Sequence, residues 1–432
     1  MTPTEKTAEP TRAQRSIRRD KRARGRGRAA FGRTTFGRAA SARTGLLGAT
    51  VGLALAALVA AGCTVPPEVT QTVPECAWEV AVIGSQSDPD TPTNILFPDT
   101  NSNYWLAAVP LAESTTVTVS GAEIDARYWS LQTYTAQDLF SSTIDSLRDD
   151  QVTTAADGSW SITVTPTGDA GTDPLRALED GTPSGTTWLM FRTYLPDDPS
   201  MPAGSLGLPT VEIADEWGTR VVEPCTHPSS TPPATPASTD GSAPEWLETP
   251  ELAFKRPQPT FTPFPNADAA YLAAPATRRA GEVVVIRAKA PSFPEADVSP
   301  IGSGADLRYW SWCQFGLPST KTVACVADQD VPLDAEGWYT VVISDPADRP
   351  TNATAADGVA WLPWGREPIA AFALRNLVPD PSFDEAAQAV PVSGTATTTH
   401  MGDHTPLATF CARSTFEAEG HEGCFSNAQP AL

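Results

Sequence analysis

The chain has 432 residues, a formal net charge of −21 and a sequence pI near 4.5. Residues 1–62 hold 13 of the 30 Lys and Arg but only 3 of the 51 Asp and Glu, which leaves 17 basic and 48 acidic side chains beyond them. So acidic a body makes a poor nucleic-acid binder, since phosphate contacts need Lys and Arg, and a poor electrostatic partner for anionic lipid; 42 Pro against 30 Gly describe a loop-rich folded chain of two or three domains, not a long helical bundle.

The N-terminal residues 1–43 are Arg-rich, and residues 44–61 carry no charge. A basic run, an apolar run and then small residues make the physical pattern of a secretory signal. Ala60-Ala61-Gly62-Cys63 closes it and resembles a bacterial lipobox, in which the thiol of Cys63 takes a diacylglyceryl group and the chain is cut just before it. Ala60 stands where that motif usually has Leu. The alternative is an uncleaved anchor helix, because 18 uncharged, mostly apolar residues are near the minimum for a span. Both readings put residues 64–432 on the extracytoplasmic face of the cell membrane, and the first makes membrane lipid a partner through the acylated Cys63.

Beyond a tether at 63–75, the same punctuation occurs twice. Phe97-Pro98-Asp99 precedes Tyr104, and Phe264-Pro265-Asn266 precedes Tyr271. Strand-like runs follow at 115–121 and 282–288. Asp125-Ala126-Arg127-Tyr128-Trp129-Ser130 then matches Asp306-Leu307-Arg308-Tyr309-Trp310-Ser311. Asp157-Gly158-Ser159-Trp160 matches Glu336-Gly337-Trp338-Tyr339, and Phe191-Arg192 matches Leu374-Arg375. The offsets, 167, 181, 179 and 183, stay near one value while loops vary. The marked segments are short, rich in Val, Thr, Trp and Tyr, and alternate in polarity, which predicts antiparallel strands joined by turns. Asp157-Gly158 is a hairpin signal, because Gly readily takes positive φ. Helical turns are expected only within 136–147 and 382–389. The reading is mainly all-β: two tandem antiparallel β-sandwich or jelly-roll-like domains, at 76–225 and 261–385. A Pro/Ser/Thr-rich linker at 226–260 separates them. Residues 386–432 form a C-terminal extension with no obvious match after the first copy.

Setting Cys63 aside leaves six cysteines, an even number that suits an oxidising compartment. Fifteen pairings are possible; the favoured set is Cys76 with Cys225, Cys313 with Cys325, and Cys411 with Cys424. His400, His404 and His421 lie close to the last pair, so a zinc site competes with that disulfide. Export favours the disulfide, and no metal or other cofactor is expected.

The Tyr-Trp-Ser strand, the acidic-Gly turn, Trp361-Leu362-Pro363, and the strands ending in Arg192-Thr193-Tyr194-Leu195-Pro196 and Leu374-Arg375 resemble the domain of unknown function 1214. The resemblance covers roughly 95–200 and 262–382, and extends to actinobacterial lipoproteins of unassigned role that carry such tandem copies. It implies a β-rich fold and no activity. The first copy lacks the Trp-Leu-Pro; Trp188-Leu189-Met190 stands there instead.

Candidate chemistry is sparse. No Gly-x-Ser-x-Gly elbow occurs, and no histidine lies within either repeat. The matched carboxylates Asp125 with Asp306 and Asp157 with Glu336 could serve glycoside hydrolysis, yet sharing between copies points to scaffold. Trp78, Trp105, Trp217, Trp246, Trp312 and Trp364 have no partner in the other copy and are candidates for an aromatic platform, with Trp105 and Trp364 foremost. Arg127, Arg308, Arg192 and Arg375 recur and could clamp an anion or form structural ion pairs. The function expected is a membrane-tethered, non-enzymatic binding or scaffolding module of the cell envelope, whose ligand or protein partner the sequence does not identify. The alternative is an envelope glycan-active hydrolase using paired carboxylates.

Overall fold

Period-two alternation builds every sheet. In Thr116–Gly121, Val117 and Val119 are buried while Thr118 and Ser120 point the other way. The computed structural model describes residues 74–83, 94, 96–135, 142–182, 184–200, 203, 207–226, 249–258, 264–295 and 299–426. The Arg-rich run, the lipobox with Cys63 and most of the linker lie outside the described residues.

Ten strands form the first sandwich: β1 (Val80–Ile83), β2 (Ser102–Leu111), β3 (Thr116–Gly121), β4 (Ala126–Thr135), β5 (Thr143–Arg148), β6 (Trp160–Thr165), β7 (Pro174–Arg176), β8 (Gly185–Pro196), β9 (Thr210–Asp215) and β10 (Gly218–Val222). They make one sheet in the order β1-β2-β8-β4-β5 and a second in the order β10-β9-β3-β6-β7. Eight strands form the second sandwich: β11 (Ala269–Thr277), β12 (Glu282–Lys289), β13 (Leu307–Leu317), β14 (Thr322–Ala327), β15 (Trp338–Ser344), β16 (Val359–Pro363), β17 (Ile369–Pro379) and β18 (Leu407–Ala412). Their sheets run β11-β17-β13-β14 and β16-β15-β12-β18. The two copies agree strand for strand, β2-β8-β4-β5 with β11-β17-β13-β14, and β9-β3-β6-β7 with β18-β12-β15-β16. Pairing is antiparallel except at one matched place in each copy, where β6 meets β7 and β15 meets β16 in parallel.

Each core is sealed by the same aromatic stack. Trp129 lies on Trp160 with centroids 4.6 Å apart, and Trp310 lies on Tyr339 at 5.2 Å. Trp160 therefore corresponds to Tyr339, not to its neighbour Trp338. The acidic-Gly turns also superimpose in detail: Gly158 and Gly337 both sit at φ 81, which an L side chain adopts only with strain. All three favoured disulfides are present, Cys76–Cys225, Cys313–Cys325 and Cys411–Cys424. The first ties the two ends of the first sandwich together.

The structure corrects three expectations. Of the segment expected to hold a helical turn at 136–147, Thr143–Arg148 is the edge strand β5, and 136–141 lie outside the described residues. In 382–389 only a short 3-10 turn forms, Ala387–Ala389. The C-terminal extension does have a counterpart: β18 pairs with β12 as β9 pairs with β3. The match escapes the sequence because the segment joining β17 to β18 is longer than that joining β8 to β9. A short helix, α1 (Thr398–Met401), lies in that segment, and α2 (Arg413–Ser426), kinked at Gly420, follows β18.

Candidate functional site

The described residues fall within one compact unit, 69–432, in which the two sandwiches meet through matched sheet faces. On β4, Trp129 and Leu131 enter the core, so Tyr128, Ser130, Gln132 and Tyr134 face outward. On β13, Tyr309, Ser311, Cys313 and Phe315 do the same. Each outward face receives the Phe-Pro-Asp or Phe-Pro-Asn loop of the other sandwich. Phe97 packs edge-on against Phe315 at 5.2 Å, and Phe264 against Tyr134 at 5.3 Å. Both Phe residues hold positive φ, 59° and 42°, a strained conformation imposed at the same place in both copies.

The polar groups of these loops are wholly buried. Asp99 accepts hydrogen bonds from Tyr309 Oη at 2.9 Å and Ser311 Oγ at 2.7 Å, and pairs with the Arg375 guanidinium. The matched Asn266 accepts from Gln132 Nε2 at 2.7 Å and Tyr128 Oη at 3.3 Å. Arg192 donates to Gln132 Oε1 (2.6 Å), Tyr134 Oη (2.6 Å) and the Phe264 carbonyl (2.7 Å). Reciprocal ion pairs flank this centre: Arg127 with Asp328 at 2.5 Å, and Arg308 with Asp149 and Asp150. Burial pushes the Asp328 carboxyl up to about 6, against the opposing pull of Arg127 and of backbone N–H groups. Burial likewise raises Asp149 despite its pairing with Arg308.

All four recurring arginines thus lie between the sandwiches rather than on a ligand-facing surface. Arg127, Arg308 and Arg375 are ion-paired, while among the described residues Arg192 donates to neutral acceptors only. Trp105 and Trp364 are core residues, 4% and 5% exposed, and cannot serve as an aromatic platform. Trp105, at an inward position of β2, stacks on Phe191, and Trp364, just beyond β16, meets Phe372 edge-on, because large aromatics fill the core. Trp78 and Trp312 are also buried, and Trp246 lies outside the described residues. Trp217, in the turn between β9 and β10, is 83% exposed.

The remaining candidates serve local structure. Asp157 Oδ1 accepts from Ser159 N at 3.0 Å, and Asp306 Oδ2 from Ser292 N at 2.8 Å. The Cys411 and Cys424 sulfurs are joined, and His404 Nδ1 lies 2.9 Å from the Lys289 carbonyl. Asp99 approaches Cys313 and Cys325, but those sulfurs are also bonded to each other and the carboxylate is engaged by Arg375, Tyr309 and Ser311.

An open groove of about 620 Å³ lies on the outer sheet of the first sandwich, which the sequence reading did not single out. Ser120, Thr153, Ser159, Ser161, Thr172 and Thr210 line it with hydroxyls, and Gly121 and Trp160 contribute to its wall. Ser120 pairs in register with both Ser161 and Thr210, so three hydroxyls cross β9, β3 and β6 in a row. A Cβ on Gly121 would lie 2.7 Å from the Trp160 ring, so glycine is what lets the ring lie against the strand. No lining residue is ionisable. The signal was present in the alternation of 115–121 and 160–166, where every second residue is Thr or Ser.

No protein-family model and no curated protein matches the chain. Among solved structures, an uncharacterized protein from Burkholderia cenocepacia is similar with a TM-score of 0.50 at 16% identity, covering 78% of this chain and 82% of its own. A protein from Vibrio parahaemolyticus reaches a TM-score of 0.40 at 12% identity, covering 73% of this chain and 90% of its own. The first of these likenesses supports the all-β, two-sandwich fold and carries nothing about activity.

Proposed function

We propose that the protein is an extracytoplasmic lipoprotein, tethered through Cys63, that acts as a non-enzymatic binding module for a neutral, polyhydroxylated envelope ligand. The chain resembles tandem copies of the domain of unknown function 1214, and the reading adds a ligand face to that fold. The observation that carries it is the groove lining: Ser and Thr side chains, three of them in a row across β9, β3 and β6, with no ionisable residue among them. Hydroxyls both donate and accept, as the groups of a saccharide do, and the acidic body repels anionic ligands. Three disulfides fit an oxidising compartment. Against the hydrolase alternative, which needs Asp125 with Asp306 or Asp157 with Glu336, stands the engagement of one member of each pair: Asp157 accepts from Ser159 within its turn and Asp306 accepts from Ser292 N.

The test uses full-length protein extracted from its native membrane. Intact mass reads the tether, with a mature chain beginning at Cys63 and carrying a diacylglyceryl group as the expected result. Calorimetric titration with neutral and anionic oligosaccharides reads the ligand. Neutral chains should bind, and Ser161→Arg should abolish that binding. Binding of anionic chains alone, or binding indifferent to Ser161→Arg, overturns the reading.

A further inference from the structure

The two copies receive their neighbour's loop with the same three side chains, and only in one copy do the serine and the arginine meet a carboxylate among the described residues. In the second sandwich Tyr309, Ser311 and Arg375 converge on Asp99. In the first, Tyr128, Ser130 and Arg192 occupy the matched positions, and the loop offers Asn266. Here Asn266 Oδ1 accepts from Asp268 N at 3.0 Å and Gln132 Nε2 at 2.7 Å. These two donors fix the amide orientation, and Asn266 Nδ2 is left as a buried donor without an acceptor.

Ser130 Oγ is a second buried polar atom without a partner, although its counterpart Ser311 Oγ donates to Asp99. The two atoms belong to one locality. Asn266 bonds Tyr128 and Gln132, the residues two before and two after Ser130 on the same face of β4. Arg192 lies directly opposite Ser130 in the β4–β8 register. The Arg192 guanidinium is 1% exposed and touches no carboxylate among the described residues, whereas Arg127, Arg148, Arg308 and Arg375 each do. A buried cation beside two unanswered donors is costly in free energy unless an acceptor of negative charge joins them.

We infer that Arg192, Ser130 and Asn266 form a buried site for a small monovalent anion of the halide class, standing in for the carboxylate that Asp99 supplies to the other copy. Asp268, the acidic residue of the second loop, does not serve instead. Its carboxylate is taken by Tyr128 Oη at 2.7 Å and Arg148 at 2.9 Å. The site holds the sandwich face together and is independent of the hydroxyl-lined groove.

Crystals of the full chain grown in sodium bromide, with anomalous data at the bromine edge, test the inference directly. A bromine peak within hydrogen-bond reach of Ser130 Oγ, Asn266 Nδ2 and Arg192 is the expected result. A water there, with no anomalous peak, overturns it. In solution, Tm should rise saturably with bromide or chloride at constant ionic strength set with gluconate, as ligand linkage requires. Asn266→Asp should abolish that dependence by supplying the carboxylate internally. Ser130→Ala should weaken it, and Ser311→Ala should leave it intact. Halide dependence that survives both Asn266→Asp and Ser130→Ala overturns the assignment.

Discussion

The outer sheets of the two sandwiches share a topology but differ in what lies on them. In the second sandwich, Val283 and Val285 of β12 and Val342 of β15 point outward, and α2 covers them with Phe416 and Cys424. Asn352 Nδ2 donates to the Phe416 carbonyl at 3.0 Å, and the Cys411–Cys424 disulfide fastens the helix to β18. In the first sandwich, Thr116 and Thr118 of β3 and Thr163 of β6 take the matched positions, and the groove lies open beside them at Ser120 and Ser161. The cores beneath are alike. What differs is the residue type at alternate outward positions, and that alone decides whether a third layer is needed. An apolar outer face must be buried; a hydroxyl face can stay wet or hold a ligand. This contrast makes the first sandwich the place to seek binding and the second the place to seek stability.

The strongest way to break the contrast is to remove the third layer. Truncation before Arg413 deletes α2 and leaves Val283, Val285, Val342 and Trp361 uncovered. The expected outcome is loss of soluble monomer, read by size-exclusion chromatography. If the second sandwich instead remained monomeric and cooperative, the covering role of α2 would fail. The next largest effect lies between the sandwiches. Asp99→Ala strands the buried Arg375, and breaking such a pair costs about 3–5 kcal/mol. Asn266→Ala removes only a neutral acceptor, for about 1–3 kcal/mol. Urea denaturation of both variants measures the difference, which should favour the Asn266 variant.

Much of the fold was legible because strands advertise themselves by alternation and repeats by their offsets. Trp129 and Trp310, buried over matched partners, were readable as core. The even cysteine count pointed to disulfides, and the favoured one of the fifteen pairings is the set present. Four things were not legible, each for a reason of long-range contact. The pairing of β18 with β12 depends on a segment that returns after a long connection, and no local pattern encodes that. Arg127 and Arg308 look identical in sequence to anion clamps; only the approach of Asp328 and Asp149 from the other sandwich gives them ion pairs. Trp105 and Trp364 lack partners in the other copy, which suggested a surface role, but core positions, on β2 for Trp105 and just beyond β16 for Trp364, admit aromatics one copy at a time. The hydroxyl row escaped notice because Ser and Thr carry no motif. Its meaning appears only when β9, β3 and β6 lie side by side.

A smaller effect separates the interface from both outer faces. Asp328 is raised from the ordinary carboxylate range to about 6 by burial, so the folded chain holds that proton more tightly than the unfolded chain does. Stability contributed by the protonated form is therefore present below about pH 4 and lost as pH rises through about 6. A shift of about two units corresponds to about 3 kcal/mol at most. Denaturation of the native chain and of Asp328→Asn at pH 4.5 and 6.5 reads the difference between them. The variant should lack this part of the pH slope. An identical slope in both would mean that the Arg127 pair offsets burial completely.

The finest test exchanges one outward residue on each sheet. Val285 of β12 is fully buried under the third layer, so Val285→Thr places a hydroxyl where no acceptor awaits it and should cost about 1–3 kcal/mol. Thr118 of β3 is only half-buried and pairs in register with Thr163 and Glu212. Thr118→Val keeps the β-branched shape the strand favours and should move stability by no more than about 0.5 kcal/mol. The two substitutions are chemical opposites at matched sheets, so the asymmetry of their effects isolates the covering layer from the sheet itself. Equal and small effects would mean that α2 rests on the second sandwich without excluding water, and the contrast between a stability face and a binding face would then fall.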